Sequence, residues 1–145
     1  MKRTLVTAAA VIIAGVACTT SYEKISDAEV DASQKEAALQ VATKLWSRCS
    51  TGQHEKLASS EATPEMVDGL GPEKMAAACS SAKSQFGDFS GLDYAETWKP
   101  KSGPLRVYRF KGRFSNATTA PEIRVVMDGT KLSGLWIKPW SETLR

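Results

Sequence analysis

The hydrophobic period of this chain changes once, near Gly87, and that change limits the folds the chain can adopt. Before Gly87, apolar residues recur every three or four positions, as on one face of a helix; beyond it they alternate with polar residues, as in a half-buried strand. Helices followed by antiparallel strands are typical of an α+β domain, in which the helices cover one face of the sheet. We therefore expect that class.

The helical part divides into three predicted segments. The run Ser33-Gln34-Lys35-Glu36 has the pattern of a capping box and predicts a first helix over 33–50. A short helical piece follows around 54–59. Thr63-Pro64 predicts a brief second helix, and Gly71-Pro72 a third that ends at Gly87.

The part beyond Gly87 predicts four antiparallel strands. Leu92, Tyr94, Glu96 and Trp98 alternate with other residues and predict one face of the first strand. The next three strands are expected over 105–114, 123–127 and 131–137, and Asp128-Gly129 is a strong hairpin signal between the last two. The predicted fold is three N-terminal helices packed on a curved four-stranded antiparallel sheet.

The order of these elements carries a resemblance to a known group. A third helix ending in Phe86-Gly87 and a last strand with Gly134-Leu135-Trp136-Ile137-Lys138-Pro139 resemble exported bacterial proteins with a cystatin-like, nuclear-transport-factor-two-like cone domain, over 32–140. The resemblance implies a cone-like sheet enclosing a pocket, here without the extra early strand of the fuller fold. Domains of this fold often pair through their sheets, so it leaves both a monomer and a dimer open, and it implies no activity.

The N-terminus predicts export. Lys2 and Arg3 precede an uncharged run over 5–17, which is too short to span a bilayer and is typical of a cleaved leader. Gly15-Val16-Ala17-Cys18 is similar to the lipobox of bacterial lipoproteins, which implies that Cys18 is acylated after residues 1–17 are removed. Thr19 stands where Asp would imply retention at the inner membrane, which favours an outer-membrane anchor facing the periplasm. The alternative is simple secretion with a free Cys18 thiol.

The cysteine count agrees with an exported protein. If Cys18 carries lipid, Cys49 and Cys79 remain as a pair in an oxidising compartment, and we expect them to form a disulfide; two buried thiols are the alternative. One histidine and two distant cysteines do not supply a metal site, and no cofactor motif occurs. Residues 18–31 are mostly polar and predict a flexible tether, with one domain over 32–145.

Charge favours a binding role over nucleic-acid recognition. The net charge of +3 includes Lys2 and Arg3, so the chain after the leader carries only +1, which gives no support to nucleic-acid binding. Basic residues nevertheless collect on the predicted sheet, flanked by tryptophans. We expect them to form a face for an acidic protein or an anionic envelope component, the alternative being a solvated face with buried tryptophans; its residues are Arg109, Lys111, Arg113, Arg124, Trp98 and Trp136.

Catalysis is not expected. His54 is the only histidine and lies in a polar segment, which predicts an exposed surface residue. No nucleophile elbow or triad is present. The sequence thus predicts a lipid-anchored, non-catalytic binding or accessory protein of the cell envelope. Two alternatives stay open: an immunity-type inhibitor of an envelope-attacking toxin, and a small cone-fold enzyme using Tyr94 or Asp93.

Overall fold

The structure, a computed structural model, describes residues 11–13 and 21–144 of the chain. In chain order the elements are strands β1 (Val11–Ile13) and β2 (Tyr22–Ile25), a 3-10 turn (Asp27–Glu29), helices α1 (Ala32–Ser47), α2 (Pro64–Gly69) and α3 (Pro72–Phe86), and strands β3 (Phe89–Pro100), β4 (Arg106–Phe114), β5 (Glu122–Asp128) and β6 (Lys131–Lys138). The predicted α+β class with three helices is confirmed.

Helix α1 begins earlier than its predicted start. Asp31 is the N-cap, and its side chain accepts a hydrogen bond from the backbone N–H of Gln34 at 2.8 Å. The predicted capping box beginning at Ser33 is therefore wrong, because an aspartate two residues earlier already satisfies a free N–H of the first turn. The buried face of α1 consists of Ala38, Val41, Ala42, Leu45 and Trp46.

Helices α2 and α3 both begin with proline, where the missing N–H costs nothing because the first turn has no partner for it. Residues 54–59, expected to include a short helical piece, contain no helix. Helix α3 ends at Gly87, whose φ of +87° is in the region that favours glycine. A Cβ at Gly87 would also collide with Ser115 and Asn116, which pack against the turn.

The sheet is wholly antiparallel, in the order β1-β6-β5-β4-β3-β2. Strands β3 to β6 correspond to the four predicted strands, and the Asp128-Gly129 turn joins β5 to β6 as expected, with Gly129 at φ +58°. Strand β2 adds a fifth strand and β1 a sixth, so the predicted strand number was too small.

Strand β2 lies in the segment assigned to a flexible tether. Its four residues pair with Thr97 to Pro100 of β3, and Ile25 is buried. The polar composition of 18–31 predicted no sheet, but one buried isoleucine and a full set of backbone partners are sufficient to order a short edge strand. The predicted 18–31 tether thus differs from the structure, which places residues 22–25 in the sheet.

A β-bulge in β3 changes the predicted faces of that strand. The register with β4 shifts between Tyr94 and Glu96, so one extra residue stands on the β3 side. Leu92 and Tyr94 therefore pack with the core, whereas Glu96 contacts Arg109 on the opposite face. The prediction that Leu92, Tyr94, Glu96 and Trp98 share one face is therefore wrong beyond the bulge, where Glu96 and Trp98 lie on the other face.

The core lies between the helices and the inner face of the sheet. The inner side chains of β4, β5 and β6 are fully or almost fully buried; they are Tyr108, Phe110, Ile123, Val125, Met127, Leu132, Leu135 and Ile137. The predicted disulfide between Cys49 and Cys79 is present, with the two Cα atoms 5.2 Å apart. It ties the turn after α1 to the middle of α3.

Candidate functional site

The outer face of the sheet, which points away from the helices, carries the residues of the predicted binding face. Strand register places Arg109 opposite Arg124, and Arg124 opposite Trp136, so these three side chains form a row across β4, β5 and β6. Trp98 stands opposite Val107 on the same face. Gly134 makes room for the Trp136 indole, because a Cβ at Gly134 would collide with that ring.

Arg109 occupies the centre of this face, but it is fully buried. Its guanidinium donates to Glu96 and to the carbonyl of Ser141, and it donates to Glu122 at 2.7 Å. The indole of Trp140 covers the guanidinium, with Cζ 4.1 Å from the ring centroid. A buried arginine held by two carboxylates and an aromatic ring is an internal ion-pair centre, not a surface group.

The neighbouring basic residues are also engaged. Arg113 donates to Asp93, and Arg124 donates to Glu122 at 2.6 Å. The Lys111 ammonium lies 4.8 Å from the centroid of the Trp140 ring. The predicted row of basic side chains is therefore present on this face. Carboxylates of β3 and β5 and the C-terminal segment over 139–144 already bind most of these side chains.

Two residues of this face, Glu96 and Lys138, have pKa values shifted by their surroundings. Burial raises the pKa of Glu96, but hydrogen bonds from Lys24, Trp98 and Arg109 outweigh that effect and hold the pKa below its usual value. Burial, followed by the nearby Arg124 charge, lowers the pKa of Lys138. The Glu96 shift thus reflects hydrogen bonding and ion pairing within this face, whereas the Lys138 shift reflects burial beside a like charge.

A pocket of about 360 Å³ opens on the helical side of the domain. Its apolar walls include the rings of Trp46, Phe89 and Phe114, and the Cys49–Cys79 disulfide lies in the same wall. The Phe114 ring packs against the other two, with centroid distances of 6.4 Å to Trp46 and 5.4 Å to Phe89. We call this cavity the disulfide pocket.

Two nitrogens of the disulfide pocket's lining residues lack hydrogen-bond partners. Within residues 21–144, neither Nε1 of the fully buried Trp46 nor Nδ1 of the half-buried His54 has a partner in the structure. Buried polar groups are normally paired, and an unpaired one costs about 1–3 kcal/mol. Both nitrogens are inaccessible to solvent, so a group that bonds to either of them would require a shift of the surrounding side chains.

The rim of the disulfide pocket is polar. Lys83 and Asp88 line it and form an exposed ion pair at 3.3 Å. Ser50 and Ser80 also border the opening. An apolar interior with a charged and hydroxylated rim favours an amphipathic ligand over a fully apolar one.

The residues considered for catalysis do not converge. Tyr94 packs with the core, while Asp93, the residue before it, is exposed and pairs with Arg113. The Tyr94 hydroxyl bonds to Thr97 at 2.7 Å, and the Tyr108 hydroxyl donates to Gln34 at 2.6 Å. Burial, with the nearby Asp31 charge next, raises the pKa of Tyr108 to about 12, which makes it a poor proton donor or acceptor near neutrality.

His54 was missed by sequence reasoning. It was expected to be an exposed surface residue, but it is half-buried and lines the disulfide pocket. Its segment has no periodicity to reveal a buried side. The one available clue was its position five residues after Cys49, a predicted partner in a disulfide.

The predicted acylation site, Cys18, lies outside the described residues. Among residues 11–13 and 21–144, no helix combines the length and the apolar character needed to cross a bilayer. In that same part of the chain, no group of three or more His, Cys, Asp or Glu side chains is arranged to hold a metal ion.

Comparison with known protein families, with curated proteins and with solved structures finds no match for this chain. The resemblance to cone-domain proteins therefore stays a prediction.

Proposed function

We propose that this protein is a lipid-anchored, periplasm-facing binding protein of the cell envelope, attached through Cys18, that holds a small amphipathic ligand in the disulfide pocket without transforming it. The observation that carries the proposal is a cavity of about 360 Å³ walled by three aromatic rings and a disulfide and bordered by a charged and hydroxylated rim.

The pocket's chemistry defines the ligand class. Three aromatic rings and a disulfide favour an aliphatic or aromatic body, since burying apolar surface contributes about 25 cal/mol per Å². The exposed Lys83–Asp88 ion pair and the hydroxyls of Ser50 and Ser80 at the rim favour a ligand with a polar group at one end.

The disulfide pocket supports a binding role better than the outer face does. On the outer face, Arg109, Arg113 and Arg124 already hold carboxylates of this chain, so an anionic partner would have to displace them. Displacing the buried pairs would leave Glu122 without its partners at a cost of several kcal/mol. Among the described residues that line the pocket, Lys83 and Asp88 form an ion pair that is exposed, so ligand entry there would break no buried pair.

Location supports an envelope role. The lipobox-like segment ending at Cys18 implies acylation, and several acyl chains anchor a protein durably. The Cys49–Cys79 disulfide suits an oxidising compartment such as the periplasm. These two features have separate causes in the sequence and favour the same compartment.

The proposal is tested by a substitution that fills the disulfide pocket. Ala76 and Ala77 are both exposed on α3, but only Ala76 lines the disulfide pocket. We expect the Cys18→Ser full-length chain, which cannot be acylated, to bind the fluorescent apolar amine 1-N-phenylnaphthylamine. Ala76→Phe should weaken binding by roughly tenfold or more, about 1.4 kcal/mol, because the new ring occupies the cavity. The matched variant Ala77→Phe should bind like the parent.

Equal affinity of the two phenylalanine variants would show that the probe binds elsewhere and would refute the pocket proposal. The anchor is tested separately by the intact mass of protein extracted from membranes. Acylated residues 18–145 support the proposed anchor, whereas an unacylated chain with an alkylatable Cys18 contradicts it.

A further inference from the structure

Strand β1 occupies the β6 edge of the sheet with residues that belong to the predicted leader. Val11 pairs with Ile137, Ile12 with Trp136 and Ile13 with Leu135, all antiparallel. Helix α3 lies beside β1, so the strand is placed between the β6 edge and that helix. The fold therefore already shows how this edge receives a short extended segment.

This inference rests on the proposed function, in which residues 1–17 are cleaved as a leader. That cleavage would remove β1. The backbone groups of Leu135 to Ile137 that face β1 would then lose their strand partner. Unpaired edge strands are sites at which other chains add by backbone pairing, unless charges, bulges or covering segments protect them.

The two edges of the sheet differ in this protection. At the opposite edge, β2 carries Glu23 and Lys24, which form ion pairs with Lys99 at 3.2 Å and Glu96 at 2.8 Å. The paired stretch of β6 is Leu135-Trp136-Ile137, with no charged residue. Charges thus protect the β2 edge against pairing with another chain. The stretch of β6 that pairs with β1 lacks such charges.

We propose that the β6 edge of the processed protein binds an extended apolar segment of a partner protein by β-strand addition, in the place that β1 occupies in the precursor. The sequence of β1, Val11–Ile13, indicates the kind of partner segment: consecutive β-branched residues that pair antiparallel to β6. Main-chain bonds then supply affinity, and flanking side chains supply selectivity.

The experiment uses a synthetic peptide with the sequence of residues 8–16, labelled with a fluorophore and extended by lysines for solubility. Its binding to the mature protein, extracted from membranes and held in phospholipid nanodiscs, is followed by fluorescence anisotropy, with empty nanodiscs as the blank. Two controls are matched to it: the same peptide with Ile12→Pro, and the full-length Cys18→Ser chain, in which β1 remains covalently present.

We expect saturable binding to the mature protein and protection of the 131–138 amides from hydrogen exchange. The Ile12→Pro peptide should bind at least about tenfold more weakly, because proline lacks a ladder N–H and its ring obstructs pairing. The Cys18→Ser chain should bind neither peptide. Equal binding of the two peptides, or binding by the Cys18→Ser chain, would overturn the proposal.

Further outcomes separate this inference from the proposed function. A mature protein that lacks residues 1–17 by intact mass but does not bind the peptide overturns the edge site alone. Protection of 131–138 in a dimer, without peptide, overturns it in favour of a second copy. With Ala76→Phe introduced into the mature protein, loss of probe binding with peptide binding unchanged keeps the pocket and the edge as independent sites.

Discussion

Replacing Arg109 by methionine tests whether the outer face is an internal ion-pair centre. Arg109 and Glu122 are both fully buried, and Glu96 is only 8% exposed. The substitution keeps an apolar stem of similar length, and the Glu122 carboxylate keeps its ion pair with Arg124 at 2.6 Å. Glu96 keeps Lys24 at 2.8 Å.

Breaking a buried ion pair typically costs about 3–5 kcal/mol, because the remaining charge stays desolvated without compensation. The retained Arg124 and Lys24 contacts place the expectation at the lower end, near 3 kcal/mol of unfolding free energy. Loss of the Trp140 contact, with the guanidinium 4.1 Å from the ring centroid, adds about 1 kcal/mol. With a urea m-value of roughly 1.5–2 kcal/mol/M, the unfolding midpoint should fall by about 2 M.

Equilibrium urea unfolding followed by circular dichroism measures this change, with the disulfide kept oxidised. The matched control is Arg113→Met, four residues along the same strand and face. There both ion-pair partners are more than half exposed, so the loss should stay below about 1 kcal/mol. Equal losses for the two methionine variants would refute the reasoning.

Two further predictions concern stability. Replacing both Cys49 and Cys79 by alanine should lower the unfolding free energy by about 3–4 kcal/mol, since the bond closes a loop across a separation of 30 residues; a urea-unfolding difference below 1 kcal/mol would contradict this. The depressed pKa of Glu96 should stabilise the fold above its unfolded value near 4.5, and that contribution should be lost as the pH falls through the lower folded value. Glu96→Gln should therefore flatten the decline of the urea midpoint between pH 5 and pH 3, and an unchanged slope would argue against it.

Much of the fold could be predicted because it depends on local patterns. Proline at the first position of α2 and α3, Gly87 after α3 and the Asp128-Gly129 turn each favour the observed backbone geometry for local reasons. Strand β2 could not be predicted from its own residues. Its order comes from backbone pairing to β3 and from one buried isoleucine, neither of which leaves a periodic pattern in four residues.

The disulfide pocket could be predicted only in part. Cys49 and Cys79 follow from the cysteine count, and Trp46 from the helical period, but nothing local shows that Phe89 and Phe114 close the cavity from the sheet. His54 enters it from a segment without regular structure, and its burial depends entirely on where the chain passes after α1. Nonlocal convergence of this kind has no counterpart in residue spacing.

The charge state of the outer face depends on a single inserted residue in β3. With strict alternation, Glu96 would follow Leu92 and Tyr94 towards the helices, and Arg109 would lie on an open cationic surface. The bulge between Tyr94 and Glu96 reverses the later half of the strand, so Glu96 pairs opposite Arg109 and neutralises it. Composition and period are the same in both cases, yet one arrangement makes an anion-binding surface and the other a closed ion-pair network. Deleting Ala95, the residue of β3 without a partner on β4, should therefore keep Glu96 opposite Arg109, because Glu96 would then directly follow the inward-facing Tyr94; the urea midpoint should fall less than in Arg109→Met.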